Sequence, residues 1–305
     1  MLSDVGTKNL IINLITMAES KLKGKKCLVT GVAGFIGSHL ADRLLELGAE
    51  VYGIDNFYTG FSKNIPEGVK FTELDFSRAE ALHEYFDVIR PEYVFHVGAW
   101  SRMPMCLDDP QGAYNGNVIG SLNVLEESKK YGVKKVVLSS SCIVYCEETP
   151  YKSSKVAMED IARVYRKMYE LPTACLRYAN VYGTRQEVGS DSAMFAMLKD
   201  TYKKEGHVNI FGDGEQTRDW IHVNDVCRAN IHFMESDFEG EIDIATGNSI
   251  SLNYIIDVLG VKAEYMEERK GDAKHIKLNP EPAKKLGYEA TINFEDGIKN
   301  VWENL

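Results

Sequence analysis

From Lys26 onward, short apolar runs alternate with longer stretches whose apolar positions recur every three to four residues. The runs predict strands buried on both faces, and the longer stretches predict amphipathic helices. Strands are expected at 26–30, 50–54, 69–73, 92–97, 134–140 and 173–178, with helices over about 36–48, 78–90, 111–131 and 151–170. Such alternation implies right-handed crossovers, so the expected fold class is α/β, a doubly wound parallel sheet. After Asn180 the elements shorten, turns such as Gly212-Asp213-Gly214 appear, and a last helix is expected near 293–303. The predicted division is an N-terminal helical extension over 1–25, a nucleotide-binding domain over 26–180, and a smaller lobe, mainly substrate-binding, over 181–305. Some segments of that lobe are expected to return to the main sheet. The extension carries Leu10, Ile11, Ile12, Leu14, Ile15 and Met17, a pattern for a short helix docked on the body or on a second subunit.

The first predicted strand, Cys27-Leu28-Val29-Thr30, runs directly into Gly31, Gly34 and Gly37, and a helix opens at Ser38. That order suits a Rossmann-like dinucleotide site. Gly31 permits the tight turn, Gly34 lets the backbone approach a pyrophosphate, and Gly37 lets helix pack on strand, with the anion at the helix N-terminus. Asp55 ends the second strand, where a carboxylate accepts hydrogen bonds from an adenosine ribose and repels a 2′-phosphate. This favours NAD over NADP. Asp75-Phe76 closes the third strand, where an acid and an apolar residue can hold an adenine ring; a turn acid beside a core residue has the same spacing.

The run Val136-Val137-Leu138 ends in Ser139-Ser140-Ser141. Ligands collect at the carboxyl ends of strands in an open parallel sheet, so these hydroxyls are expected within a substrate's reach. Ten residues beyond Ser141, Tyr151 and Lys155 lie four apart on a predicted helix and share one face. Near a cofactor, a lysine ammonium lowers a phenol pKa from its reference value of ~10 and fits the pair for acid/base work on a sugar or alcohol hydroxyl.

With 45 acidic against 35 basic residues the net charge is −10, and no Lys/Arg run forms a phosphate-tracking stripe, so nucleic acid is not an expected partner. No apolar stretch approaches the ~20 residues that cross a bilayer. Asp4 stands where a signal peptide would carry positive charge, and no clean cleavage site follows, so a cytoplasmic location is expected. The six cysteines are scattered, without a Cys-x-x-Cys, and read as reduced packing residues, Cys142 and Cys146 included. No metal site is expected.

Several motifs occur together and in one order: the glycine loop, Asp55-Asn56, Leu74-Asp75, His96-Val97-Gly98-Ala99, Asn117-Val118-x-Gly120, the triple serine, Tyr151-x-x-x-Lys155, Arg177-Tyr178-x-Asn180-Val181-Tyr182-Gly183 and Arg218-Asp219-x-x-His222-Val223. From about residue 26 to 303 the chain resembles the extended short-chain dehydrogenase/reductases, in their nucleotide-sugar epimerase and dehydratase branch. The resemblance implies a tightly held NAD touching Gly31, Gly34, Phe35, Ile36, Gly37, Asp55, Asn56, Asp75, Phe76, Ala99, Asn117, Tyr151, Lys155 and Tyr178. It also implies a nucleoside diphosphate sugar, a UDP-sugar foremost, bound between sheet and C-terminal lobe by Asn180, Phe211, Arg218 and Arg269. Tyr151, Ser141 and Lys155 would be the catalytic set.

Dehydratases of that branch place Asp-Glu after the serine and decarboxylating relatives a Glu, whereas this chain has Cys142-Ile143. A 4-epimerase is therefore expected, with a nucleotide-sugar ketoreductase or dehydrogenase as the alternative and a non-catalytic NAD-binding sensor behind both. Ile276 aligns with the position that sets the room around the sugar's 2-substituent. Helices over 111–131 and 151–170 resemble those that pair two subunits as a four-helix bundle, so a homodimer is expected, with Val118, Leu122, Leu125, Val156, Ile161 and Val164 on the apolar faces; packing on the chain's own sheet would explain part of the same pattern. One departure stands out: only Cys146–Pro150 separate Tyr145 from Tyr151, where relatives insert a longer connection, and Cys146 replaces their glycine. The sugar end should be more open, or another segment must cover it.

Overall fold

A computed structural model describes residues 20–188, 194–267 and 275–305. Its centre is a seven-stranded, wholly parallel sheet built from β1 (Lys26–Thr30), β2 (Glu50–Asp55), β3 (Lys70–Glu73), β4 (Tyr93–His96), β5 (Lys135–Ser141), β6 (Thr173–Tyr178) and β10 (Gly240–Ile244). The spatial order is β10-β6-β5-β4-β1-β2-β3. The expected strands thus fall within a residue or two of their observed bounds, and the α/β class holds.

Side chains alternate between two cores, as the two-residue period of a strand requires. Cys27, Val29 and Val137 face one side, where α1 (Phe35–Glu46) contributes Leu40 and Leu44 and α8 (Val223–Glu235) contributes Val226 and Phe233. Leu28, Val136 and Leu138 face the other. There α2 (Ala79–Ile89), α5 (Gly120–Lys130) and α6 (Pro150–Tyr169) contribute Leu82, Phe86, Val124, Leu125, Met158 and Ala162. The order turns back between β1 and β4, which opens a crevice at their carboxyl ends.

The smaller lobe packs around Tyr182, Phe195, Trp220, Ile255, Ile298 and Val301. In it β9 (Thr217–His222) pairs with β7 (Asn180–Tyr182), β11 (Ser249–Ser251) and β13 (His275–Ile276), while β8 (Val208–Phe211) pairs with β12 (Ala263–Met266). Its helices are α7 (Met194–Glu205), α9 (Leu252–Leu259) and α11 (Phe294–Asn304). The chain returns to the main body through α8 and β10.

Two expectations need adjusting. The helix expected over 111–131 is instead α4 (Pro110–Tyr114), a π-helical turn (Asn115–Ile119) and then α5. Gly112, Gly116 and Gly120 lower its helical propensity, and the last two give room to aromatic rings. A Cβ on Gly116 would lie 3.0 Å from the Trp100 ring, and one on Gly120 2.5 Å from Phe76. Most of the expected extension lies outside the described residues; Leu22 is buried in the first core, and Ser20 Oγ donates to Glu235 on α8 (2.6 Å). Among the described residues no helix is long and apolar enough to cross a membrane.

Because the Phe76 ring is wedged between Gly98 and Gly120, Gly120→Ala should overpack this junction and cost about 1–3 kcal/mol in urea unfolding. An unchanged midpoint would mean that the ring has somewhere else to go.

Candidate active site

The crevice begins with β1. Gly31 has φ 69, in the left-handed region, and a Cβ there would come within 2.6 Å of Gly98 Cα at the end of β4. A Cβ on Gly37 would overlap the Gly31 carbonyl oxygen. No side chain caps α1, whose N-cap is Gly34 and whose first turn carries no acid. Its free N–H groups are therefore available to an anion. This cradle, which any side chain would fill, fits a dinucleotide pyrophosphate.

Asp55 is 6% exposed and binds the loop rather than only awaiting a ribose: its Oδ2 accepts from Ala33 N (2.9 Å) and its Oδ1 from Phe57 N (2.8 Å). Burial raises its pKa, against the lowering effect of those N–H donors. Asn56 Nδ2 donates to Asp75 Oδ2 (3.3 Å), and Asp75 Oδ1 accepts from Ser77 N (2.9 Å).

Behind the crevice a buried polar chain joins the end of β1 to the helix that carries Tyr151 and Lys155. Ser121 Oγ donates to Asn117 O (2.6 Å) and so receives its bond from His96 Nε2 (2.9 Å). His96 Nδ1 then accepts from Thr30 Oγ1 (2.8 Å), which accepts from Gly98 N (3.0 Å). The network assigns one neutral tautomer to His96. Burial, aided by the charge of Lys155, pushes its pKa down to about 3. Asn117 extends the chain: its amide brackets the Trp100 backbone (2.7 and 2.9 Å) and donates to Ser154 Oγ (3.0 Å), which donates to Tyr151 O (2.8 Å).

Helix α6 starts where the short connection ends. Thr149 Oγ1 accepts from Lys152 N (3.1 Å) and Pro150 takes the first helical position, a combination that fixes a helix start. Tyr151 therefore sits in the first turn, its ring packed among Trp100, Cys106, Ala113 and Ile143. Lys155, 2% exposed, donates to Ser139 O (2.7 Å). The three serines divide their work. Ser139 Oγ bonds the Tyr178 hydroxyl (3.0 Å), Ser140 Oγ donates to Glu159 (2.5 Å), and Ser141, at the strand's end, receives Ile143 N (3.2 Å).

The cavity of about 990 Å³ that these elements enclose runs from the glycine loop past Ser141, Tyr151 and Lys155 to the second lobe. Gly31, Gly34, Phe35, Ile36, Gly37, Asp55, Asn56, Asp75, Phe76, Ala99, Tyr178, Asn180, Phe211, Arg218 and Ile276 line it too. Arg218 and Ile276 are register partners on β9 and β13. Next to Arg218, the buried Asp219 carboxylate accepts from Thr246 N (3.0 Å), Thr246 Oγ1 (2.8 Å) and Gly247 N (2.8 Å), which fixes the strand. Asn117 is not among the lining residues; it acts one layer back, on Trp100 and Ser154. Arg269 lies outside the described residues.

Sequence reasoning passed over Trp100, Arg102, Met103, Pro104 and Tyr58, all of which line the cavity. Tyr58 and Trp100 stack with centroids 4.4 Å apart and planes at 12°. Their positions just beyond the ends of β2 and β4, beside the switch point, were the available signal. The segment from Trp100 also flanks Tyr151 and supplies cover that the short 146–150 connection does not. Burial pushes the Cys142 thiol up to about 12, so it cannot serve as an acid or thiolate at neutral pH. Among the described residues no cluster of His, Cys, Asp and Glu could hold a metal.

A hydroxyl laid against Ser141 and Tyr151 would meet a dinucleotide held by the first lobe, which is the working arrangement of an extended short-chain dehydrogenase/reductase. The chain belongs to the NAD dependent epimerase/dehydratase family, whose model matches residues 27–245. A putative UDP-glucose 4-epimerase of Methanocaldococcus jannaschii is 35% identical over 90% of this chain and 96% of its own length. Two solved structures are similar over 92% of this chain and 98% of theirs. The Thermotoga maritima UDP-glucose 4-epimerase with UDP-glucose gives a TM-score of 0.88 at 35% identity, and the Thermus thermophilus UDP-glucose 4-epimerase with NAD gives 0.85 at 31%.

The unfolded chain takes up a proton on an imidazole near pH ~6.5, whereas folded His96 resists protonation down to about 3. Stability should therefore rise with pH across that interval and be complete above it. Taking the pH from 7 to 5.5 is expected to cost the parent about 1 kcal/mol more than it costs His96→Gln, read by urea unfolding. Identical pH dependence would show that His96 is not held neutral.

Proposed function

We propose that this chain is an NAD-dependent nucleotide-sugar 4-epimerase acting on UDP-sugars. The observation that carries the reading is the meeting of Ser141, Tyr151 and Lys155 in one cavity with the dinucleotide cradle, next to Cys142 and Ile143 rather than an acid. The acids among the described lining residues, Asp55 and Asp75, stand at the ends of β2 and just past β3, at the adenosine end. None is at hand to eliminate water at C5 or C6.

The glycine loop and the α1 N-terminus would hold the pyrophosphate of NAD, Asp55 the ribose, Asp75 and Phe76 the adenine, and Lys155 with Tyr178 the nicotinamide side. Bound there, NAD supplies a hydride acceptor that is restored when the hydride returns. Tyr151 Oη takes the proton of the C4 hydroxyl and later gives it back. Ser141 Oγ donates to the developing carbonyl oxygen, and the charge of Lys155 steadies the phenolate. Arg218, with Asn180, clamps the diphosphate, a task suited to a guanidinium fork. The keto-sugar then turns about its link to the fixed diphosphate and presents its other face. The six free thiols fit a reducing, cytoplasmic compartment.

Purified protein, with no NAD added, should interconvert a UDP-sugar with its C4 epimer by NMR. Tyr151→Phe should slow this about 10²–10⁴-fold while keeping bound NAD. A cofactor-loaded protein that changes no UDP-, GDP- or dTDP-sugar at C4 would overturn the reading. Turnover only in step with added NADH would make it a ketoreductase.

The same reading includes a homodimer through α5 and α6. Tyr114, Ile119, Val164 and Met168 are exposed apolar residues on these helices and the turns before them, with Met168 at 71%. A second copy would cover them. Leu125, expected on this face, is instead wholly buried in the chain's own core. Sedimentation should give the mass of two chains, and Val164→Glu with Met168→Glu should halve it. A monomeric parent would reject the dimer.

A further inference from the structure

Among the described residues the cavity holds one more cation than the proposed chemistry uses. Lys155 is tied to Ser139 O, and Arg218 stands on β9 in the lobe that receives the diphosphate. Arg102 lines the same cavity from the opposite lobe. It caps the start of α3 (Met103–Asp108), its carbonyl accepting from Cys106 N (3.1 Å). Its neighbours in sequence, Trp100 and Cys106, both pack on the Tyr151 ring. Arg102 thus belongs to the segment that packs on Tyr151 and lines the same cavity. Among the described residues no carboxylate or other acceptor is paired with its side chain. The lining acids, Asp55 and Asp75, already take hydrogen bonds at the adenosine end.

We propose that Arg102 is a specificity-determining residue that pairs with a carboxylate on the sugar, so that the substrate class is a nucleoside diphosphate uronic acid. The inference rests on the reading that places the sugar's C4 at Tyr151. In a uronic acid the C6 carboxylate hangs from C5, the ring neighbour of C4, so a cation beside Tyr151 faces it. A guanidinium offers two parallel N–H donors to such a group. Trp100, Met103 and Pro104 line the cavity on either side of Arg102 in the chain and offer a carboxylate no competing charge. The short 146–150 connection keeps an extra segment out of that flank.

The test compares binding of UDP-glucuronate, UDP-glucose and UDP to the NAD-loaded protein by calorimetry, with thermal melts as the folding control. The parent should bind the uronate about 10- to 100-fold more tightly than UDP-glucose. In Arg102→Gln that ratio should collapse toward one while UDP affinity serves as the reference, and Arg102→Lys should recover part of it. Equal binding of the two sugars by the parent, or an equal loss for both sugars and UDP in Arg102→Gln, would overturn the proposal. Following C4 by NMR on the same samples separates the two readings. Turnover of UDP-glucose without discrimination removes the role of Arg102 and leaves the epimerase. Discrimination in binding with no change at C4 in either sugar keeps the anion anchor and removes the epimerase.

Discussion

The close approach of β1 to β4 at their carboxyl ends is the constraint on which the site depends. Gly31 and Gly98 meet backbone to backbone, and Thr30 is bonded to His96 just behind them. The contact needs two residues without side chains at the point where the strand order reverses. It also needs a neutral imidazole, since a charged one would be buried beside Lys155. An uncompensated buried polar group here would cost on the order of 1–3 kcal/mol. Thr30, His96 and Ser121 accordingly each have both a donor and an acceptor role filled, with the Gly98 N–H at one end of the chain.

That chain turns a local contact into long-range positioning. His96 lies 66 residues from Thr30 and 25 from Ser121, and Asn117 reaches 37 residues on to Ser154. The cofactor loop and the first turn of α6 are therefore referred to the same buried hydrogen bonds. The π-helical turn belongs to this arrangement: it carries Asn117, and the glycines around it leave space for the Phe76 and Trp100 rings. On the other side, Ser140 is held by Glu159, itself gripped by Arg177 (2.6 and 2.9 Å), so the strand's end is pinned from both flanks.

The strands were legible because a sheet covered on both faces writes itself as apolar runs, and the glycine loop because only glycine tolerates its overlaps. That Tyr151, Lys155 and Ser141 meet at one cavity was legible through spacing within a helix and at a strand's end. Asn117 shows the limit of that approach. As a motif residue it reads as a cofactor ligand, but its amide is spent on Trp100 and Ser154, partners 17 and 37 residues away. Trp100 and Arg102 carry no periodic signature either, since a loop beyond a strand has none. Leu125 read as an interface residue because the apolar stripe of a helix does not say which neighbour covers it.

The short approach to Tyr151 gains a physical meaning from the cavity's charges. Asp55 and Asp75 stand at the ends of β2 and just past β3, and Arg102, Lys155 and Arg218 line the rest of the cavity. Ser141 is followed by a thiol that burial keeps protonated and by an isoleucine, and among the described residues the acids that line the cavity are Asp55 and Asp75. Here the wall beside Tyr151 includes Trp100, Met103, Pro104 and Ile143. The short connection and the aromatic, proline-bearing segment after β4 therefore meet at one place: the first leads straight into Tyr151, and the second packs on its ring.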